Sequence, residues 1–586
     1  MSNGPGSCRE YGSDREPCPL QLPTLTLHVD ADRDGVADDH DGSNLSIFDS
    51  WQAGPNTKGA IILVNNDNDG GPRGLDNRNR VVDGSGDEAD LAPALIKRRP
   101  PGLSFPAGWS ARLTVSDPSK IRIFKRGSWL EVLGPRRRVF RIPDLNFTQP
   151  IELGMEAIQY PGIYPDHGFD GLLRLTLEVR NASNRVHSTQ SARIRVAPWL
   201  MPNHLDKTEE IYIVRAMFNR SIRQTLADEV GGMATITTPP MPFLSGVGDD
   251  RWFQDIMEVG FSRFPPDHAI NVAMPTANRR RPSFDLYPRR RLLGADYGYV
   301  RPVATNFYSS LNSFGNLECS PPVTVNGREY KFGRIYYGHD ARRRMHWGVR
   351  RFLQRQRVQE PFPIDTSWLY VGHVDEVCSM IPWRSSSDIP GVQRHFRVAL
   401  ASPRYALEII QQLVDVGQQN AQMFTGESWG FDRNLRTPGA IMRSRWFQSR
   451  QRRAQRKIDG VKQQLVNGLG LSDTDFIEIP VLFRPMEDGR YLAYTCDSVN
   501  MLVVTRADKT AKLMIPKPLG PIIDPSGDAC VFEQEIESVI TGSGNEVVFV
   551  RVFREYHRLM GELHCGTNSR RRPPADVKWW EQVGVF

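Results

Sequence analysis

The chain has 586 residues, a formal net charge of +7, 39% hydrophobic residues and 24% charged residues. This length exceeds one compact core, so we expect two or more domains of ordinary globular composition. No run of 18 or more apolar residues is present, which argues against a membrane-spanning helix. Residues 1–20 are polar and rich in Gly and Ser, without an apolar secretory segment, so we expect a flexible tail and a cytoplasmic protein.

The cysteines and arginines say little about partners. The seven cysteines are scattered and odd in number, which argues against a disulfide scaffold and fits a reducing compartment. No Cys-x-x-Cys pair or local Cys/His cluster predicts a zinc site. Arginine runs such as 136–138 and 289–291 would suit an acidic partner or nucleic acid. Because they are dispersed and lack interleaved aromatic residues, we favour a solvated surface and expect no nucleic-acid partner.

The predicted elements divide the chain into two domains. Residues 21–205 carry short alternating strands between Gly, Pro and Asn turns, for example at 173–179, which is typical of a β-sandwich. From Ile211 onward, strands alternate with amphipathic helices, as at 405–417 and 452–469. We therefore predict an α/β domain at residues 206–586, in which no sequence repeat is evident.

Two acidic clusters lie in the first domain. One has the spacing of an EF-hand loop without flanking helices, with Gly35 at the turn: Asp30, Asp32, Asp34, Asp38 and Asp41. The other follows an apolar strand: Asn65, Asp67, Asp69, Asp76, Asp83, Asp87 and Asp90. Unpaired carboxylates repel one another, whereas Ca²⁺ takes about six to eight hard oxygen ligands. We favour calcium binding over two acidic solvated loops.

A second set of residues has the parts needed to attack a guanidinium carbon. His373 and Asp375 lie in a segment that reads as a strand, so both should face one pocket. Carboxylates on either side, from Asp375 and Asp255, would match the planar fork of guanidinium donors, and Trp252 would stack on the substrate stem or on the cation. Cys565 would be the nucleophile, and His373 would serve as general acid for the departing amine and then as base for water. Taken singly, each residue is more often structural.

These residues stand in segments that resemble the protein-arginine deiminases. The segments run in family order through the second domain, at 251–258, 313–322, 371–376, 500–503, 515–518, 564–568 and 578–580. The first domain resembles the family's calcium-binding middle domain at 59–65 and 195–199. Animal members carry a further N-terminal β-domain, so the chain resembles a shorter, two-domain form. The resemblance implies an immunoglobulin-like β-sandwich followed by a pentein-type α/β propeller.

The resemblance also implies an activity. This is hydrolysis of peptidyl-arginine to peptidyl-citrulline with release of ammonia, by a hydrolase acting on C–N bonds of linear amidines. Arginine-containing proteins or peptides would be the substrates, with self-modification of the arginine runs as a further expectation. By match to the family, Cys565 forms a covalent thiouronium intermediate and His373 is the general acid/base. Asp255 and Asp375 clamp the guanidinium, and Trp252 lines the substrate tunnel.

Calcium is the cofactor implied by the resemblance. The family's ion beside the active site maps onto Gln254, Glu258, Glu318 and the backbone carbonyls of Phe314 and Leu317. The middle-domain ligands map onto Asn65, Asp67, Asp69, Asp76, Asp87 and Asp90. Because Gln254 directly precedes Asp255, calcium there would set the position of a catalytic carboxylate.

Three positions depart from the family pattern. Ile256 replaces an acidic residue that serves a second calcium ion near the active site. The segment before Arg301, which would grip the substrate backbone, is one residue short. Leu559 replaces an arginine, with Arg558 adjacent.

Two alternatives stay open. One is a deiminase of free arginine or another small guanidine, although such enzymes typically lack the calcium-rich sandwich. The other is an inactive calcium-binding interaction protein, against which the complete set of four candidate catalytic residues argues.

Overall fold

The computed structural model describes residues 22–41, 51–70, 74–166, 168–240, 250–279, 285–339, 343–384, 395–427, 435–524, 527 and 529–582. The predicted tail at 1–20 lies outside these ranges. Within them, no helix is both long enough and apolar enough to cross a bilayer. The described residues form mixed sheets and helices, as predicted.

The first part of the chain forms two facing five-stranded sheets, ordered β1-β3-β8-β5-β6 and β2-β10-β9-β4-β7. All neighbours pair antiparallel except β2, which runs parallel to β10. Side chains alternate between the core and the outside along β9, as expected when one sheet face is covered. The strands are β1 (Thr24–Val29), β2 (Ala60–Ile62), β3 (Ala92–Arg99), β4 (Ser110–Val115), β5 (Ile121–Lys125), β6 (Leu130–Leu133), β7 (Val139–Arg141), β8 (Ile151–Ala157), β9 (Leu172–Arg180) and β10 (Val186–Val196).

The remaining strands build smaller sheets. They are β11 (Thr208–Ile213), β12 (Thr235–Thr237), β13 (Met257–Phe264), β14 (His268–Pro275), β15 (Tyr297–Tyr299), β16 (Leu317–Cys319), β17 (Val323–Val325), β18 (Arg328–Tyr330), β19 (Ile335–Gly338), β20 (Phe362–Ile364), β21 (Cys378–Pro382), β22 (Phe396–Ser402), β23 (Phe476–Pro480), β24 (Phe483–Pro485), β25 (Tyr491–Ala493), β26 (Leu502–Thr505), β27 (Ala511–Pro516), β28 (Glu546–Val550) and β29 (Thr567–Arg571).

A structural repeat links these sheets. Within the described residues, five of them have three strands, in which a central strand pairs antiparallel with one neighbour and parallel with the other. The central strands are β11, β14, β19, β22 and β27. The first of these, β11, pairs with β29 near the C-terminus, so the start and end of this part of the chain meet in one sheet.

Helices cover the sheets. They are α1 (Ser85–Ala89), α2 (Arg220–Val230), α3 (Trp347–Gln356), α4 (Pro403–Asp415), α5 (Pro438–Arg443), α6 (Arg445–Leu469), α7 (Val531–Ile540) and α8 (Leu563–Gly566). The longest, α6, begins where the Ser444 side chain accepts the Phe447 N–H, and it ends at Gly470 with φ of 64°. Its apolar stripe, which includes Ile458 and Leu465, packs into a hydrophobic core shared with β21, β22 and β23. The helices predicted at 405–417 and 452–469 therefore correspond to α4 and α6.

The two parts of the chain meet at the second acidic cluster. The Asn66 side-chain amide donates to the Tyr299 carbonyl at 3.0 Å, and the Tyr299 N–H donates to the Asn66 carbonyl. Asp67 Oδ2 accepts the Asp296 N–H at 3.0 Å, and Asp90 Oδ1 lies 2.5 Å from His268 Nε2. The acidic cluster is thus held against the sheet β13-β14-β15.

Candidate active site and candidate calcium sites

The candidate nucleophile is Cys565, a buried residue of the short helix α8. Its N–H donates to Asn500 Oδ1 at 3.2 Å, and its Sγ lies 3.3 Å from Asn500 Nδ2 and 3.5 Å from Asp375 Oδ2. Burial, reinforced by the negative charges of Asp375 and Asp255, raises the pKa of the Cys565 thiol well above its ordinary value. The raised pKa and the contact with Asp375 Oδ2 together favour the thiol form of Cys565.

The predicted strand around His373 is wrong. His373 instead precedes a 3-10 helix, Val374–Glu376. The Glu376 carboxylate accepts the N–H groups of Gly372 and His373 at 2.9 and 2.8 Å, and Gly372 has φ of 90°. These bonds favour a tight turn over an extended strand, because a side chain takes the donors that a sheet neighbour would otherwise use. His373 and Asp375 nevertheless reach one pocket, as predicted.

The His373 ring is held in one orientation. Its Nε2 lies 3.0 Å from the Ser310 carbonyl oxygen and 3.1 Å from Ser310 Oγ. A carbonyl oxygen only accepts hydrogen bonds, so Nε2 carries a proton, which it donates to Ser310. Nδ1 then faces the site, 3.7 Å from Asp255 Oδ1.

Gly315 lies at the point where the candidate catalytic groups converge. A Cβ built on Gly315 would stand 2.6 Å from His373 Nδ1, 2.9 Å from Asp375 Oδ2 and 3.4 Å from Asp255 Oδ1. The four predicted catalytic residues thus come together from distant parts of the chain. Gly315 and Asn500 were not singled out from the sequence as site residues, although both stand inside the segments that carry the family resemblance.

Asp375 has a second partner in the buried residue His564. His564 Nδ1 lies 2.9 Å from Asp375 Oδ2, and its Nε2 lies 3.4 Å from Glu318 Oε1. Burial opposes the charged imidazolium, but the hydrogen bond to Asp375 and the charge of Glu318 outweigh it and raise the pKa of His564. His204 lies on the other side of Glu318, with Nε2 3.4 Å from Oε2. A buried series of side chains therefore joins a predicted catalytic carboxylate, Asp375, to a predicted calcium ligand, Glu318.

The two predicted substrate-binding residues lie in different surroundings. Trp252 is half-buried and packs against Tyr556, with 5.6 Å between ring centroids. It also lies close to Gly561, where a Cβ would stand 2.5 Å from the indole ring. Arg301 forms an ion pair with Asp285 at 2.6 Å. The predicted role of Arg301 in gripping the substrate backbone stays a prediction.

The residues predicted to bind calcium beside the active site lie together. Gln254 Nε2 is 3.0 Å from Glu258 Oε2 and 3.3 Å from the Phe314 carbonyl oxygen. Burial and the charge of Glu318 raise the pKa of Glu258 well above its ordinary value, and burial raises the pKa of Glu318 to about 7. These are hard oxygen donors whose negative charge is incompletely balanced. They fit Ca²⁺, which binds carboxylates, amide oxygens and backbone carbonyls.

The second acidic cluster gathers its carboxylates into two groups, each with ligand atoms within 4.8 Å of one another: Asp67, Asp69 and Asp90, and Asp76, Asp83 and Asp87. Asn65 donates to Asp87 Oδ1 at 2.7 Å. Burial, with the nearby charges of Asp90 and Asp69, raises the pKa of Asp67 to about 9. Among the described residues, Asn65 Oδ1, Asp67 Oδ1 and Asp90 Oδ2 have no hydrogen-bond partner. Such buried oxygen donors fit a hard cation.

The EF-hand-like loop is only partly assembled. Asp30, Asp32 and Asp41 lie within 4.8 Å of one another, whereas the Asp34 carboxylate accepts the Val36 N–H at 2.8 Å. Asp41 accepts N–H groups of Ala31 and Asp32, so it already has polar partners. Calcium binding by Asp30, Asp32 and Asp34 stays a prediction.

Comparison with known proteins accounts for almost the whole chain. Residues 24–180 match the family model described as protein-arginine deiminase (PAD) middle domain, and residues 186–581 match protein-arginine deiminase (PAD). The chain is 32% identical over 577 residues to human protein-arginine deiminase type-1, an alignment that covers 95% of this chain and 82% of that protein. It is 34% identical over 601 residues to mouse type-3, covering 98% and 86%, and 33% identical over 557 residues to human type-4, covering 91% and 79%.

The chain belongs to the protein-arginine deiminase family. The predicted family and enzyme class are therefore confirmed. The boundary between the two matched regions, at residues 180–186, falls close to the turn from β9 into β10. In this protein-arginine deiminase, the assembled Cys565, His373, Asp255 and Asp375 all lie in the region that matches the deiminase model.

Proposed function

We propose that this protein-arginine deiminase converts peptidyl-arginine to peptidyl-citrulline and ammonia through a covalent intermediate on Cys565, in a calcium-dependent reaction. The convergence of an oriented imidazole and two carboxylates around Gly315, with the buried Cys565 thiol 3.5 Å from Asp375, carries the proposal. Each group has a distinct role in guanidinium chemistry. The family comparisons support the same substrate class, since the relatives are named protein-arginine deiminases.

The guanidinium would bind between the two carboxylates. Its donors form a planar fork that carboxylates match in pairs, and Asp255 and Asp375 approach the pocket from separate chain segments. Among the described residues, Asp375 Oδ1 has no hydrogen-bond partner, so it can accept a substrate N–H without giving up an existing bond. Removing either carboxylate would leave part of the guanidinium's buried N–H donors without an anionic acceptor.

The substrate would also activate the thiol. The charges of Asp375 and Asp255 contribute to the raised pKa of Cys565, after burial. A bound guanidinium cation balances these charges, which lowers the pKa of the thiol and favours the thiolate. Asp375, to which the thiol donates in the free enzyme, would then turn to the substrate. Nucleophile formation is thereby linked to the presence of the correct substrate.

Protons balance through His373. The Cys565 thiol proton would pass to Nδ1 of His373 as sulfur attacks the guanidinium carbon. His373 would then give this proton to the departing nitrogen, which leaves as ammonia. The product of this step is an S-alkyl thiouronium on Cys565. His373 then removes a proton from water as the water attacks the same carbon. The carbon–sulfur bond breaks, which releases citrulline and restores the Cys565 sulfur.

Calcium would be held by Gln254, Glu258, Glu318 and the carbonyls of Phe314 and Leu317. Bound there, the ion would supply the positive charge that two buried carboxylates, Glu258 and Glu318, lack in the protein alone. Gln254 and Asp255 share one 3-10 turn, Gln254–Ile256, and Phe314 directly precedes Gly315. Ordering of these two turns would therefore order the guanidinium pocket. Ile256 is buried and apolar, so it offers no ligand for a second ion.

Strand pairing supports the proposed pentein-type propeller and immunoglobulin-like sandwich. The five three-stranded sheets with one shared pairing pattern are what a pentein-type propeller requires, and the closure of β11 onto β29 is what a circular arrangement requires. The two facing five-stranded sheets of the first part suit an immunoglobulin-like sandwich.

The test is release of citrulline and ammonia from a blocked arginine peptide, with calcium and with chelator. Cys565→Ala should abolish release, whereas Cys530→Ala, which removes another buried thiol, should leave it intact. Free arginine and agmatine are assayed beside the peptide. Activity that needs both calcium and Cys565 supports the proposal, and activity indifferent to chelator removes its calcium part. Turnover of the free guanidines alone would favour a small-guanidine deiminase, and mass spectrometry of the enzyme itself tests self-modification.

A further inference from the structure

A buried cluster of three metal-binding side chains lies beside the catalytic centre. Cys496, His557 and Glu562 place one ligand atom each within 4.8 Å of one another. Cys496 follows strand β25, His557 begins a 3-10 helix, His557–Leu559, and Glu562 precedes α8. All three are at most 5% exposed. The cluster escapes sequence inspection because Cys496 is far along the chain from the other two residues.

The cluster is polar but incompletely satisfied. His557 Nδ1 lies 2.5 Å from Glu562 Oε1, and the same oxygen accepts the Asp497 N–H at 3.0 Å. Glu562 Oε2 is buried and has no hydrogen-bond partner among the described residues. A buried carboxylate oxygen without a partner has a free-energy cost, which a bound cation would remove.

The surroundings of Cys496 are negatively charged. The carboxylates of Glu562, Glu427 and Asp497 all act on its thiol and, after burial, raise its pKa. Asp497 is itself 3% exposed and follows Cys496 directly. The negative charges of these carboxylates disfavour an anionic ligand and favour a cation.

We propose that Cys496, His557 and Glu562 form a binding site for Zn²⁺. A thiolate, an imidazole and a carboxylate are the donors that Zn²⁺ takes, whereas Ca²⁺ takes oxygen ligands only. Zn²⁺ bonds of about 2.0–2.3 Å require ligand atoms only slightly further apart than those of a hydrogen bond, so small side-chain rotations suffice. Binding would release the thiol proton of Cys496, because Zn²⁺ takes the thiolate.

The site has room for a fourth ligand. A cavity of about 20 Å³ adjoins it and is lined by His557, Glu562 and Cys565, among others, but not by Cys496. This volume accommodates one water molecule. Three protein ligands and a water complete the usual tetrahedron of Zn²⁺. The fourth position would thus open toward the cavity that the catalytic cysteine also lines. The inference concerns metal binding and does not depend on the proposed deimination.

Zinc binding is measured on the full chain in saturating calcium, so that the oxygen-ligand sites are occupied. Competition with a chromophoric zinc chelator gives the stoichiometry and the affinity. We expect one zinc ion per chain, bound about 100-fold or more tightly than in Cys496→Ala, because even outer-shell changes cost about 10–100-fold in metal affinity. Cys530→Ala is the matched control, since it removes a thiol of similar burial outside the cluster and should bind zinc normally.

Cobalt substitution identifies the thiolate without relying on the folding of one variant. Co²⁺ in this site should give a thiolate-to-metal charge-transfer band in the wild type and in Cys565→Ala. Loss of the band in Cys565→Ala would assign the metal to the catalytic cysteine and overturn the proposal. Equal zinc affinity of the wild type and Cys496→Ala, or wild-type cobalt spectra without the band, would also overturn it.

Discussion

Gly315→Ala should disable the site without removing any catalytic group. The added methyl would stand 2.6 Å from His373 Nδ1 and 2.9 Å from Asp375 Oδ2, against about 3.4 Å for an ordinary contact. The imidazole would have to retreat by about 0.8 Å and the carboxylate by about 0.5 Å. A misplacement of about 1 Å can cost about 100-fold in rate, so we expect kcat for peptidyl-arginine to fall about 100-fold, or about 2.7 kcal/mol in the activation barrier.

The assay is citrulline release in saturating calcium, with thermal unfolding measured on the same samples. Overpacking by one methyl costs about 1–3 kcal/mol of stability, which leaves a protein of this size folded. Gly460→Ala is the control, because a Cβ on Gly460 in α6 meets no atom within 4 Å. That variant should keep full activity and gain about 0.5–1 kcal/mol from the removal of a helical glycine.

A folded Gly315→Ala variant that retains kcat within about twofold of the wild type would refute this prediction. The three groups around Gly315 would then have room to move without loss of function, and the guanidinium would have to bind elsewhere. A rise in KM with unchanged kcat would also contradict the argument, since it would show that the methyl only hinders entry.

Three further predictions concern charge and hydrogen bonding. Asp375→Asn should speed iodoacetamide alkylation of Cys565, because it removes a charge that raises the pKa of the thiol, while deimination falls at least about 100-fold; unchanged alkylation would contradict this. Glu376→Ala leaves the Gly372 and His373 N–H groups without their acceptor, so we expect about 1–3 kcal/mol lower stability and lower kcat, whereas Glu376→Gln should recover much of both. Burial and neighbouring carboxylates raise the pKa of Asp67 to about 9, so its folded carboxyl holds a proton more tightly than the unfolded one. The stabilisation that protonated Asp67 gives the folded state is present at low pH and is lost as the pH rises toward 9. In chelator, the unfolding temperature should therefore fall as the pH rises toward 9. Calcium binds the ionised carboxyl, so the protection it gives should grow with pH; protection that shrinks with pH would refute the assignment.

Local patterns made much of the fold predictable. The alternation along β9 and the apolar stripe of α6 are set by residues close in sequence, so the period of the hydrophobic pattern identifies them. The turn at His373 was not predictable in this way. It depends on the Glu376 carboxylate folding back onto two N–H groups. Without knowledge of those bonds, the same residues are equally compatible with a strand.

The repeat of five sheets could not be read from the sequence either. Each central strand is buried, but β11, β14, β19, β22 and β27 fill their sheets with different apolar residues. The repeat arises from backbone pairing, which constrains the amino-acid identities in these strands only through burial. The predicted boundaries at 20 and 205 stay predictions.

The site was predictable in its parts and unpredictable in its connections. Cys565 and His373 stand in recognisable segments, but the chain Asp375–His564–Glu318 joins residues that only the tertiary fold brings together. These contacts give the proposed calcium dependence a physical mechanism. While the carboxylates on both sides raise the pKa of His564, Asp375 stays hydrogen-bonded to His564 and to the thiol of Cys565. Positive charge at Glu318 would weaken one of the interactions that raise the pKa of His564, which weakens the pairing of His564 with Asp375 and leaves this carboxylate freer to bind a guanidinium. Calcium affinity and guanidinium affinity would then be coupled through one buried histidine, and by linkage each ligand should tighten the binding of the other.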